Sequence, residues 1–211
     1  MENNQDQPDP KQYFVEPEFT EALNKAGSLV THRAKSILYS SVYLHEESIS
    51  ATSGDVIMQV WHGCTTPVDV IVPVSFIRKL QGKTINSLGS TPDSLTAWFD
   101  DGSWLKTKVH HDEDFPNLPA FLGLKADFQP TPPHLWEALE KRKRKREDRL
   151  RFEGVSFSIE ALQSIRPFAE EMAFDVTHAM TYFRGHHVRG AIAQRPLEGD
   201  AFLRKLSDTT V

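Results

Sequence analysis

The chain has 211 residues, with 24 Lys and Arg, 29 Asp and Glu, nine His, one Cys and a net charge of −5. That length holds one or two domains with a substantial core, and the single Cys64 excludes an internal disulfide framework or a multi-cysteine metal cluster. No apolar run approaches the ~18 residues of a membrane span, and the first 20 residues are acidic and rich in Pro and Gln, which predicts a cytoplasmic protein without a secretion signal.

Residues 1–12 are polar, with two prolines and little to bury, and read as a disordered tail. Phe19, Leu23, Ala26 and Val30 recur at helical spacing and predict an amphipathic helix over 17–31. Strand signatures follow over 34–45, 49–52 and 56–62, with a Ser53-Gly54-Asp55 turn. Val68–Pro73 reads as a buried strand, and Ser75–Gln81 as a short helix with Ser75 as N-cap and Gly82 as its stop. Leu95–Phe99 and Trp104–Val109 form a hairpin through Asp100-Asp101-Gly102.

Residues 120–133 read as a linker ending in Pro130-Thr131-Pro132-Pro133. A helix is expected from His134 through the basic run to Arg151, and Phe152–Ser158 then alternates as a strand. Ile159–Glu171 reads as a helix broken or kinked by Pro167, and Ala173–Phe183 and Val188–Gln194 as strands joined at Arg184-Gly185-His186-His187. Helix, strands, helix and strands thus occur twice, a degenerate internal repeat in an α+β chain that divides near residue 126.

Catalytic constellations are weak. His110-His111-Asp112-Glu113-Asp114 offers ligand-type residues in a row, but neighbours on a strand face opposite ways and no second His or Cys pair stands at zinc-site spacing. Trp61-His62-Gly63-Cys64 could pair a thiol with an imidazole, although a packed thiol is the commoner reading. His186-His187 reads as a solvated turn. No phosphate-binding glycine loop, nucleophile elbow or zinc-peptidase motif is present. The expectation is a protein that is not an enzyme and holds no metal or cofactor, with a nucleic-acid enzyme built on residues 110–114 as the outlying alternative.

The basic run is a better lead. Eight of the eleven residues from Lys141 to Arg151 are basic and two are acidic, a local charge of +6 that leaves −11 on the rest. Such asymmetry lets a polyanion dock at one place and repels it elsewhere. The cations surround the helix instead of forming a stripe, and no aromatic interleaves them. That pattern suits salt-dependent, sequence-independent duplex binding more than base readout or single-strand stacking.

Three features in order resemble the first domain of the bacterial DNA polymerase III β subunit, the sliding clamp. They are the strands of Ser36–Thr52 with the Ser53-Gly54-Asp55 turn; Val70-Ile71-Val72-Pro73 running straight into a helix over Phe76–Leu80; and Glu113-Asp114-Phe115-Pro116-Asn117-Leu118-Pro119, similar to a motif that ends a clamp domain. The resemblance covers about residues 14–125 and is looser beyond. It implies clamp-like domains, antiparallel sheets with helices on one face, over 13–125 and, shorter or degenerate, over 126–211.

The resemblance also implies that the helices line a hole and present cations to double-stranded DNA. The DNA-facing set would be Lys141, Arg142, Lys143, Arg144, Lys145, Arg146 and Arg149, with Lys25, Arg33, Lys35, Arg78, Lys79 and Lys83 as second choices. A ring-forming processivity factor in replication or repair, assembled as a dimer or trimer and bound to a DNA polymerase or other replication and repair proteins, is the function implied. The alternative is a phage- or plasmid-type clamp-fold protein that binds or inhibits such a partner without encircling DNA. Clamp partners insert short hydrophobic peptides into a pocket on a later domain, which the sequence does not locate here.

Overall fold

Fourteen strands and four α-helices occupy the described residues of the computed structural model, which are 11–30, 36–66, 68–111, 126–145 and 147–194. The first half runs β1 (Lys11–Phe14), α1 (Pro17–Leu29), β2 (Ser41–Leu44), β3 (Ser48–Thr52), β4 (Val56–Trp61), β5 (Val70–Pro73), α2 (Val74–Leu80), β6 (Ile85–Thr91), β7 (Ser94–Phe99) and β8 (Trp104–Lys108). The second runs β9 (Gln129–Pro130), α3 (Pro133–Arg144), β10 (Arg149–Phe152), β11 (Val155–Ser158), α4 (Ile159–Ile165), β12 (Glu171–Asp175), β13 (Met180–Gly185) and β14 (Val188–Ala193).

The strand pairings repeat. In the first half they give the order β1-β6-β7-β8, and in the second β9-β12-β13-β14. Likewise β5 pairs with β2, and β11 with β10. The first half then extends from β2 through β3 to β4, whereas Glu153 and Gly154 join β10 straight to β11. Both turn residues adopt left-handed backbone, φ 50° and 78°, as the tightest two-residue hairpins require. Counterparts of β3 and β4 are therefore excised from the second half.

One further pairing unites the halves. β4 lies antiparallel to β14, making an eight-stranded sheet in the order β5-β2-β3-β4-β14-β13-β12-β9. α1 packs on β2, β3, β4 and α2, and α3 on α4 and β10. Most buried side chains of both halves, from Phe19 and Met58 to Phe157 and Phe183, form one continuous cluster, with smaller ones around Ile71 and around Ala173, Tyr182 and Ala191.

Several boundaries differ from the sequence expectations, each for a local reason. The strand expected over 34–45 is confined to β2, after a 3-10 turn at Leu38–Ser40. The strand expected over 173–183 is two, because Asp175 Oδ1 accepts the His178 N–H at 3.0 Å and Ala179 turns at φ 53°. α4 stops at Ile165, two residues before Pro167, whose ring excludes helix. Ser75 is not a cap: α2 begins at Val74 behind Pro73, without a side-chain cap. Lys11 and Gln12 belong to β1, not to the polar tail, and Gln129–Pro130 of the expected linker is the edge strand β9. The rest of the tail, residues 120–125 of the linker, the 113–119 motif and the last residues lie outside the described residues.

Gly190 sits where the seam is tightest. A Cβ there would overlap the Phe183 ring and the Ile57 carbonyl oxygen of β4. Gly190→Ala should cost about 1–3 kcal/mol through overpacking, read as a lower urea midpoint. An unchanged midpoint would mean that the seam yields freely.

Candidate nucleic-acid interface and neighbouring sites

Leu135 and Leu139 are the fully buried side chains of α3 and fasten its first two turns to the body. No apolar residue follows them in the helix, so its last turn projects as Lys141, Arg142, Lys143 and Arg144, all exposed. The C-terminal end of a helix carries partial negative charge, so cations there also stabilise the helix itself. The helix expected to reach Arg151 ends at Arg144. Lys145 tightens the last turn by donating its N–H to the Arg142 and Lys143 carbonyls. Arg149-Leu150-Arg151-Phe152 then alternates out and in, and this period of two, with Leu150 and Phe152 buried, makes a strand.

The predicted DNA-facing cations therefore divide. Among the described residues, Lys141, Lys143, Arg144 and Lys145 make no ion pair and form a compact group at the tip of α3. Arg142 instead pairs with Glu147, and Arg149 lies on β10. Arg146 is outside the described residues, as are Arg33 and Lys35. Lys25 is held by Glu21 at 2.6 Å, one turn away on α1, and the lysine lowers the pKa of that carboxyl. Arg78 and Lys79 are exposed in the last turn of α2, and Lys83 lies 4.4 Å above the Phe99 ring. Nearer the body, Glu140 pairs with Arg166, whose guanidinium lies 6.0 Å from the Trp136 ring, fixing α3 on α4.

The proposed thiol and imidazole do not form a nucleophile pair. The His62 ring packs edge-on to Phe19 at 5.0 Å, its Nδ1 accepts the Cys64 N–H at 3.2 Å, and Cys64 Sγ lies 3.5 Å from the His62 carbonyl. His111 Nε2 contacts the Pro92 carbonyl, and the His110 backbone bridges to Ile71; Asp112, Glu113 and Asp114 lie outside the described residues. Among the described residues no three His, Cys, Asp or Glu side chains cluster as a metal site. His186 and His187, 4.0 Å apart in the β13–β14 turn, line a cavity of about 280 Å³ with Glu18, Glu21 and Lys25 of α1.

An apolar cavity lies elsewhere, on the face of the eight-stranded sheet away from α1. About 270 Å³ in volume, it straddles the β4–β14 seam, with Leu38, Tyr39, Thr52, Val56 and Ile57 on one side and Met180, Ala191 and Ala193 on the other. The sequence could not locate it, because its walls meet only when residues more than 100 positions apart pair across the seam.

No protein-family model matches the chain, and no curated protein matches it in sequence. Its fold is that of the DNA polymerase III β sliding clamps. The Caulobacter crescentus DNA polymerase sliding clamp superposes with a TM-score of 0.73 at 14% identity, over 90% of this chain and 67% of the clamp. The Bartonella birtlesii sliding clamp bound to griselimycin gives 0.71 at 14% identity, over 93% and 68%. The β subunit from Streptococcus pyogenes DNA polymerase gives 0.66 at 12% identity, over 92% and 67%. The chain thus spans about two thirds of the length of these clamps. Among the described residues no helix is long and apolar enough to cross a membrane.

Burial lowers the pKa of His62, and likewise of His45. A histidine lowered in the folded state binds its proton first in the unfolded chain, near the ordinary value of about 6.5. Stability is therefore full above about pH 6.5 and declines as the pH falls below it. His62→Asn keeps an acceptor for the Cys64 N–H and should flatten part of that decline in denaturant melts between pH 7 and 5; an unaltered slope would count against His62 as a source.

Proposed function

We propose that this chain is a non-enzymatic, clamp-fold DNA-binding protein whose contact with duplex DNA is made by the tip of α3. The observation that carries the reading is the group Lys141, Lys143, Arg144 and Lys145, exposed and without ion pairs among the described residues, on a chain whose net charge is −5. The chain is net acidic, so a patch of four unpaired cations would favour phosphate at this tip and help fix the orientation of the duplex. Flexible lysines and arginines contact phosphates without reading bases, so binding is sequence-independent and exchangeable. A DNA polymerase or another replication or repair protein is the partner this role calls for.

Four phosphate contacts predict an affinity falling roughly a hundredfold between 50 and 200 mM salt. Fluorescence anisotropy with a labelled 20-base-pair duplex (a length of about two helical turns) tests this. The triple variant Lys141→Glu, Lys143→Glu and Arg144→Glu should lose at least tenfold in affinity at low salt. Equal binding by the variant would overturn the reading.

A second reading rests on the cavity across the β4–β14 seam. Its apolar walls and volume of about 270 Å³ suit two large side chains of a short hydrophobic peptide. On this reading the fold serves to bind a protein without encircling DNA. A fluorescent peptide bearing adjacent Leu and Phe should bind at the seam, and Ala191→Arg, which fills the cavity, should abolish that binding. Retained binding would exclude the cavity as the peptide site.

A further inference from the structure

The apolar cavity across the seam stands open beside the last described residue of the chain. Leu38 and Ile57 line it from one side of the β4–β14 pairing, and Met180, Ala191 and Ala193 from the other. Tyr39 in its lining is 41% exposed, and Ile37, two residues earlier, is 48% exposed. Large apolar side chains left open in one place mark a surface that something covers. Ala193, the last residue of β14, is itself part of the wall.

The chain is pinned where it leaves that wall. The Ala193 N–H donates to the Asp55 carbonyl at 2.8 Å, and the Gln194 N–H to the Ala179 carbonyl at 2.8 Å. The Gln194 side-chain amide donates to the Met180 carbonyl at 2.8 Å and to Thr181 Oγ1 at 3.1 Å. These bonds set the exit of the chain next to the cavity, and residues 195–211 lie outside the described residues. Their large apolar residues are Leu197, Phe202, Leu203, Leu206 and Val211. Three of these five fall in the single run Ala201-Phe202-Leu203-Arg204-Lys205-Leu206.

We propose that this run of the same chain is the occupant of the cavity, so that a partner peptide enters only by displacing it. The proposal rests on the reading that the cavity takes a short hydrophobic peptide, and it names the segment that competes for the place. The volume of about 270 Å³ suits two large side chains. In one helical turn Phe202 and Leu206, at i and i+4, supply them from a single face, with Leu203 beside Leu206. Arg204 and Lys205 lie between them, and Asp55 in the lining carries the opposite charge. Seven residues separate Gln194 from Phe202, a reach of up to about 23 Å at ~3.3 Å each. So short a tether holds the segment at about millimolar effective concentration, which a second copy at micromolar concentration does not match. A contact that dissociates at about 0.1 mM on its own then masks the cavity about tenfold.

The test compares the full chain with its double variant Phe202→Ser and Leu206→Ser, using the fluorescent peptide that bears adjacent Leu and Phe. Both substitutions leave every described core residue in place. The double variant should bind the peptide at least tenfold more tightly, and adding Ala191→Arg should abolish that binding. A second readout needs no peptide: the Met180 methyl resonance of methyl-labelled protein should move in the double variant, because the ring current of Phe202 is lost from the cavity. An unmoved resonance overturns the proposal. So does equal peptide affinity of the two proteins with binding still lost to Ala191→Arg, which would leave the peptide reading intact. If the peptide binds neither protein, or binds both despite Ala191→Arg, the peptide reading fails and the Met180 resonance alone decides the proposal. A dimer or larger assembly that light scattering shows to be dispersed by the double variant would assign the run to the cavity of a second copy, and would overturn its return within one chain.

Discussion

The antiparallel seam between β4 and β14 is the contact on which the remaining architecture depends. Without it the second half would be a four-stranded sheet and a separate two-stranded hairpin, with its apolar faces only partly covered. With it, eight strands share one hydrogen-bonded surface and both halves contribute to one main cluster of buried side chains. The seam closes because Gly190 lets the backbones of β14 and β4 approach beneath Phe183. It also builds the apolar cavity on one face and brings the His186–His187 turn beside α1 on the other.

A second constraint comes from the excision of two strands. A turn of two left-handed residues, Glu153 and Gly154, lets β10 and β11 keep the pairing that β2 and β5 show in the first half. The local fold survives because that pairing never needed β3 and β4. What is lost is an edge, and with it the symmetry between the two ends of the molecule. One end shows β8 with two lysines, the other β10 with two arginines. The acidic remainder sets off the cations at the tip of α3 as a concentrated positive patch of the described surface.

Much of the order of elements was legible in local pattern. The run Val70-Ile71-Val72-Pro73 leading directly into a helix, the Ser53-Gly54-Asp55 turn, and the Asp100-Asp101-Gly102 hairpin all stand where residue chemistry alone puts them. Besides the two-residue β9 inside the expected linker, two strands escaped because their pattern is faint. β6 reads Ile-Asn-Ser-Leu-Gly-Ser-Thr, with only two large apolar residues, and β1 is four residues in a polar neighbourhood. Their strand state comes from pairing with each other and with β7, not from their own propensity. The end of α3 was misjudged for a related reason. Charged residues suit a helix well, so only the alternation of Leu150 and Phe152 argued for a strand, and burial of those two side chains decided it.

The sequence by itself determined the α+β class, the repeat of its pattern, and the concentration of positive charge between Lys141 and Arg151. These are properties of neighbours along the chain, where side-chain period and charge act over a few residues. Only the tertiary structure decided which cations remain available. Lys25 meets Glu21, Arg142 meets Glu147, and Arg149 leaves the helix for a strand, whereas the tip of α3 extends past its last buried leucine. It also decided the seam and the cavity. Each of these requires backbone groups far apart in sequence to meet or to miss their partners, and hydrogen-bond register across a sheet leaves no trace in the local pattern of either strand.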